Sequence, residues 1–255
     1  MAKIKTAEEI VLLRESGKRL ARVLQALKKA IKPGMSTKDL DLLAEKLIRN
    51  GGDVPPFLNY TPHGAQKPFP ASLCVSLNDE IVHGIPSASR IIQHGDVVSI
   101  DLGLAHKGMI TDSALTITVG KVPAEVAELI KETERALHEG IREARAGGHI
   151  GDIGAAIERI AHQHHYGIVR EFGGHGVGHK VHEEPYVPNY GKKGVGPILK
   201  PGMVLALEPM FMLGGDAIQL MPDGYTVVTK DGSIAAHVEH TIVITKTGPE
   251  ILTRI

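Results

Sequence analysis

At 255 residues, with 42% hydrophobic and 23% charged side chains, the chain has the composition of an ordinary globular protein, which excludes a disordered tail or a collagen-like fibre. Its 29 basic and 29 acidic residues cancel to a formal net charge of zero, so a strongly basic nucleic-acid binder is excluded and no specific DNA partner is expected. Cys74 is the single cysteine, which removes both an internal disulfide framework and a multi-cysteine zinc site.

The segment Met1 to Glu9 is charged and lacks the apolar centre of a signal peptide. No stretch reaches the ~20 apolar residues of a membrane span, so the expectation is a cytoplasmic protein without membrane association. Tryptophan is absent, aromatics make up 4% of the chain, and there are 29 glycines and 14 histidines. An aliphatic core with many His and no cysteine framework directs attention to metal sites built from imidazole and carboxylate.

In chain order, Thr6 and Glu9 form a capping box that opens a first helix, with Ile10, Leu13, Leu20, Val23, Leu24, Leu27 and Ile31 at helical spacing. Pro33-Gly34 stops it. Ser36 and Asp39 cap a second helix, lined on one face by Leu40, Leu43, Leu47 and Ile48. A Pro-rich loop runs from Pro55 to Pro70, and the clearest strands are Val97 to Leu104 and Met109 to Val119. Helical periodicity returns from Ala124 to about His165, interrupted at Gly147-Gly148, and short strands and turns follow to Ile255. A shift of 113 residues aligns Gly34 with Gly147, Asp39 with Asp152 and Leu47 with Ile160. The echo predicts an α+β fold of two similar halves, approximately 1–120 and 121–255, forming a single domain over 1–255 with a central cleft.

The strongest chemical signal is Val98-Ser99-Ile100-Asp101-Leu102-Gly103-Leu104. Here the apolar side chains take one face and Asp101 the other. A turn over Ala105–Gly108 predicts a hairpin in which Asp101 and Asp112 face each other directly. Like charges so placed are destabilising, and either a shared proton or a cation would relieve them. Two further carboxylates fall in apolar or β-branched surroundings: Glu208 after Val204-Leu205-Ala206-Leu207, and Glu239 within His237-Val238-Glu239-His240-Thr241-Ile242. An unpaired charge in such a place is expensive. His175 lies in Gly173-Gly174-His175-Gly176-Val177-Gly178, where the glycines leave room for a close approach. This string lacks the third glycine of a dinucleotide fingerprint, because His179 stands there. His182-Glu183-Glu184-Pro185-Tyr186 lacks the second histidine of a zinc-protease helix. The group His162, His164 and His165 is read as a solvated helix end.

The ordered set Asp101, Asp112, His175, Glu208 and Glu239 resembles the metal site of the methionine aminopeptidase family. The flanking strings Asn78-Asp79-Glu80-Ile81-Val82-His83-Gly84-Ile85-Pro86, His182-Glu183-Glu184-Pro185, Leu207-Glu208-Pro209-Met210 and Glu239-His240-Thr241 resemble that family as well. The short interval between His175 and Glu208 matches the type I, bacterial-style form. The resemblance implies the pseudo-symmetric α+β pita-bread fold, with central antiparallel sheets and outer helices. It also implies two divalent ions (cobalt, manganese, iron or zinc), bridged by Asp112 and Glu239, with Asp101 on one and His175 and Glu208 on the other. The implied reaction removes the initiator methionine from peptides and nascent chains with a small second residue, through a hydroxide shared by the two ions. Glu208 would move the proton, and His182 and His83 would contact the substrate around the scissile bond. Cys74, Phe69 and Tyr225 would line the methionine pocket. Gly103 and Tyr225 depart from frequent threonine and tryptophan in the family, which touches amine capture and pocket shape. A monomer is expected. The excess of 12 basic over 6 acidic residues in 1–50 would suit weak ribosome association, or simply a solvated helix face. Two alternatives stand beside this reading. One is a proline-dependent peptidase of the same five-ligand architecture, and the other is a non-catalytic binding module that has kept the fold.

Overall fold

A computed structural model describes residues 2–62 and 64–254. Among the described residues, four helices and fourteen strands follow the order the sequence predicts. Helices α1 (Ala7–Ala30) and α2 (Thr37–Asn50) open with the capping boxes of Thr6 with Glu9 and Ser36 with Asp39. Each such cap contributes about 0.5–2 kcal/mol. Then come β1 (Cys74–Leu77), β2 (Glu80–Val82), β3 (Val97–His106) and β4 (Met109–Thr118). Helices α3 (Ala124–Glu143) and α4 (Ile150–His164) follow, separated by a turn containing Gly147. The remaining strands are β5 (Gly167–Ile168), β6 (Gly173–Gly176), β7 (Glu183–Pro188), β8 (Val204–Leu207) and β9 (Met210–Met212). They continue with β10 (Ile218–Leu220), β11 (Val227–Thr229), β12 (Ala235–His237), β13 (His240–Ile244) and β14 (Pro249–Ile251).

The strands form four antiparallel sheets, ordered β1-β3-β4, β14-β13-β8-β6-β7, β12-β9-β5 and β10-β11-β2. Leu20, Leu24 and Leu27 of α1 and Leu40, Ala44 and Ile48 of α2 pack with Val98, Ile100, Leu102 and Leu104 of β3 into one apolar core. Leu129, Leu137, Ile153 and Ile157 of α3 and α4 pack with Leu205, Leu207, Phe211 and Ile242 into a second. The β3 sheet and the β8–β13 sheet therefore have helices on one side, leaving the other side for chemistry. No helix among the described residues is long and apolar enough to cross a membrane.

The β3–β4 hairpin corrects one expectation. Its turn is two residues, Lys107-Gly108, both with positive φ (49° and 83°), and His106 pairs with Met109. Such a tight turn matches strand twist. It shifts the register by two, so Asp101 faces Ala114 and Asp112 faces Gly103. Because side chains alternate with a period of two, an even shift keeps both aspartates on the same face, now as diagonal neighbours.

Candidate active site

The free edge of β4 meets the segment 237–241 along a seam of hydrogen bonds. Glu239 N–H donates to Ala114 O at 2.9 Å, Ser113 Oγ donates to Glu239 O at 2.7 Å, and Thr116 Oγ1 donates to His237 O at 2.6 Å. The seam carries Asp112 of β4 and Glu239, from the connection between β12 and β13, into one place. From the other side, β6 brings His175 beside β8, with His175 paired to Ala206. The glycines around His175 do leave room for a close approach, as expected, and what approaches is backbone. A Cβ on Gly174 would collide with the Ala206 carbonyl oxygen, and one on Gly176 with that of Glu184. Neighbouring strands fill the space, and their close approach fixes the imidazole.

Asp112, His175 and Glu239 are all buried, and each offers a donor atom within 4.8 Å of the others. His175 Nε2 lies 3.6 Å from Glu208 Oε1. Its Nδ1 donates to Gly176 O at 2.9 Å, which leaves the Nε2 lone pair facing the carboxylates. Asp101 Oδ1, Asp112 Oδ1 and Glu239 Oε1 are buried oxygens without a hydrogen-bond partner. Burial, followed by the charges of Asp112 and Glu208, pushes Asp101 well above the usual carboxylate range. Burial and the Asp112 and Asp101 charges do the same to Glu239. Asp112 is pushed up to about 6 by burial, partly opposed by His175. Burial also raises Glu208, but the imidazoles of His237, His175 and His182 outweigh it and leave Glu208 below its ordinary value.

A set of anionic oxygens that would rather be protonated, with one imidazole lone pair among them, fits divalent cations: hard oxygen and borderline nitrogen donors suit such ions. The cations would repay the burial of charge that the protein groups leave unbalanced.

All ten residues singled out by the sequence line one cavity of about 690 Å3: the five donors, His83, His182, Cys74, Phe69 and Tyr225. His182 packs edge-on against His175 with ring centroids 4.4 Å apart, and its Nδ1 lies 2.9 Å from Tyr60 Oη. His83 follows β2 with a positive φ of 59° and stands edge-on to Phe172 at 5.6 Å. Burial lowers His83 to about 4 and His182 to about 3, so both are neutral at pH 7. Phe69 meets Tyr225 edge-to-face at 5.2 Å, and the Tyr225 hydroxyl donates to the Lys67 carbonyl. Cys74 is buried in the same wall, on β1 opposite Asp101.

Two neighbours of the site escaped the sequence reading. His237 is buried, with Nε2 at 3.5 Å from Glu208 Oε2, too long and poorly aligned for a full hydrogen bond, so Nε2 is left unpartnered. Its position two residues before Glu239 puts both on one side of an extended chain, a signal the sequence did contain. Tyr60 reaches His182 from the Pro-rich loop across 122 positions, and no local pattern announces it. Of the three histidines at the end of α4, His164 is not simply solvated: its Nε2 lies 3.2 Å from the buried Glu132 carboxylate.

A two-lobed α+β scaffold with inward-facing buried carboxylates and an imidazole defines a metal-dependent hydrolase. The profile of metallopeptidase family M24 matches residues 11–246. Methionine aminopeptidase 1 of Bacillus subtilis (strain 168) is 45% identical over 251 residues, covering 98% of each chain. The crystal structure of methionine aminopeptidase from Thermotoga maritima superposes over 100% of both chains with a TM-score of 0.95 at 37% identity. Prolidase from Pyrococcus furiosus shares the fold alone, with a TM-score of 0.78 at 24% identity and 65% of its chain covered. The chain belongs to metallopeptidase family M24, in its methionine aminopeptidase branch.

Proposed function

We infer that this protein hydrolyses the first peptide bond of chains beginning with methionine and a small second residue, holding two divalent cations with Asp101, Asp112, His175, Glu208 and Glu239. One observation carries the reading: the unpartnered oxygens of Asp101, Asp112 and Glu239 line the same cavity as the apolar wall of Phe69, Cys74 and Tyr225. That juxtaposition puts a cation-demanding cluster next to an apolar wall that an apolar side chain can lie against. When bound, the cations would supply Lewis acidity, lowering the pKa of a water toward ~7 and stabilising negative oxygen.

The rest is done by side chains of this protein. Glu208, ionised at neutral pH, accepts a proton on its carboxylate and returns it to the departing amine. Tyr60 donates its hydroxyl proton to His182 Nδ1, which sets Nε2–H as the donor toward the scissile carbonyl. His83, held neutral, hydrogen-bonds on the leaving-group side. The Phe69–Tyr225 pair and Cys74 enclose the methionine side chain and exclude water from it.

The activity is that of a single catalytic domain over 1–255 with two similar halves, a cytoplasmic monomer acting on nascent chains. The basic excess of 1–50 would favour the ribosome surface. Turnover of Met-Ala-Ser and Ala-Pro-Ala after chelation and readdition of cobalt, manganese, iron or zinc tests the assignment. Metal-dependent cleavage of the former supports it. Preference for the latter would make the protein a proline-dependent peptidase, and no turnover with any ion would leave a binding module.

A further inference from the structure

We propose that Lys5 is a positioning residue for the reaction, pinning the loop that carries His182 to the start of α1; the proposal rests on the reading of His182 given above. Lys5 is 4% exposed although it precedes the first helix. Its Nζ donates to Glu183 Oε2 at 2.7 Å, in a pair whose side chains are 1% and 5% exposed. The other oxygen, Glu183 Oε1, accepts the backbone N–H groups of His179 at 2.7 Å and Lys180 at 3.0 Å. One carboxylate therefore closes the turn 179–183 from inside, and His182 is the residue immediately before it.

Further ties bind the same loop. His179 Nε2 lies 2.7 Å from Glu9 Oε1, while Glu9 Oε2 accepts the Thr6 N–H in the capping box of α1. The Lys5 stem lies against Gly178, whose φ of 142° and bare Cα leave the lysine its path. Gly178 O accepts the Ile110 N–H at 2.7 Å, two residues from Asp112, and the Lys5 N–H donates to Gly202 O at 2.8 Å. The loop bearing His182 thus hangs between α1 and β4, with its carboxylate neutralised by a lysine from outside the loop.

A buried ion pair is weak evidence for stability, since apolar residues of similar volume hold a core at least as well. What an apolar residue cannot do is accept two loop amides. Glu183 does so only while a counter-charge keeps it ionised and in place. The pair therefore fixes a loop geometry, and that geometry presents His182 to His175 and Tyr60. A displacement of about 1 Å at such a group lowers turnover up to about 100-fold.

The test is a double-mutant cycle on the metal-loaded enzyme, with Met-Ala-Ser as substrate. Lys5→Met keeps the stem and removes the charge. It should lower kcat roughly 10- to 100-fold with KM and bound metal unchanged, and Lys5→Arg should recover most of the loss. In the His182→Ala background, Lys5→Met should have no further effect on kcat. If the uncompensated Glu183 prevents folding of Lys5→Met, the K5M/E183L double variant, which leaves neither a buried unpaired charge nor an acceptor for the two loop amides, takes its place with the same expectations. Unchanged kcat in the Lys5 variant, or an equal loss with and without His182, overturns the proposal. A His182→Ala enzyme of full activity would instead overturn the reading of His182, and the positioning role with it.

Discussion

A single hydroxyl serves both backbone groups of Asp112: Thr241 Oγ1 accepts the Asp112 N–H at 2.9 Å and donates to the Asp112 carbonyl at 2.7 Å. Thr241 is fully buried, and it follows Glu239 by two residues. The threonine, on β13, therefore couples Asp112 of β4 to the segment that carries Glu239. Thr241→Val keeps the shape but leaves a buried N–H and C=O unpaired, which should destabilise the protein by roughly 2–4 kcal/mol. Urea unfolding checks the stability loss, and isothermal titration should show weaker metal binding. Thr241→Ser should lie close to the wild type in both.

His182 contacts His175 but is given no part in holding metal. His182→Ala is expected to lower kcat/KM about 100- to 10,000-fold, the usual worth of a positioned proton-handling group. Metal content by atomic emission should remain that of the wild type. Parallel losses of metal and turnover would make His182 a ligand or a structural support.

Burial, and behind it the charges of Asp101 and Asp112, pushes the Cys74 thiol well above its ordinary value. The thiolate is the reactive form, so Cys74 should react with iodoacetamide at pH 7.5 far more slowly in the native protein than in urea. Mass spectrometry of the Cys74 peptide over a time course measures both rates. Methionine, by filling the pocket, should slow the native reaction further.

Local signals were the legible ones. The capping boxes of α1 and α2 lie within four residues and have the expected partners. The apolar faces of the helices are the faces that pack, because period and burial are the same physical fact. The four carboxylates were legible from opposed or apolar placements that made their charge expensive, His175 joined them through the family resemblance, and the structure brings all five to one cavity.

What eluded the sequence depended on distant partners or on backbone sign. Lys107 gives no hint of a positive φ, so the hairpin was expected to turn one residue earlier, over Ala105–Gly108. The glycines beside His175 announced a close approach, but that the approaching groups are the backbones of β7 and β8 depends on strands far along the chain. Tyr60 meets His182, and Lys5 meets Glu183, only because the chain returns across more than a hundred residues.

The carboxylate crowd also sets a pH dependence. Asp112, Asp101 and Glu239 titrate above their unfolded values, so between about pH 4 and pH 6 the folded, metal-free protein binds more protons than the unfolded chain. Their contribution to metal-free stability is therefore greatest below about pH 4 and declines as pH rises through the folded values. Bound cations, which neutralise the same oxygens, should abolish the decline.

The most direct measurement is thermal unfolding of the wild type and Asp112→Asn at pH 7.5, each chelated and each with saturating manganese. Asparagine removes one buried negative charge and offers an N–H2 group to the neighbouring carboxylates. Metal-free Asp112→Asn should therefore melt above the metal-free wild type, by an amount corresponding to about 1–3 kcal/mol. With manganese the order should reverse, because the variant has lost a ligand. A substitution that lowers the melting temperature equally with and without manganese would contradict the claim that this cluster is held together by cations.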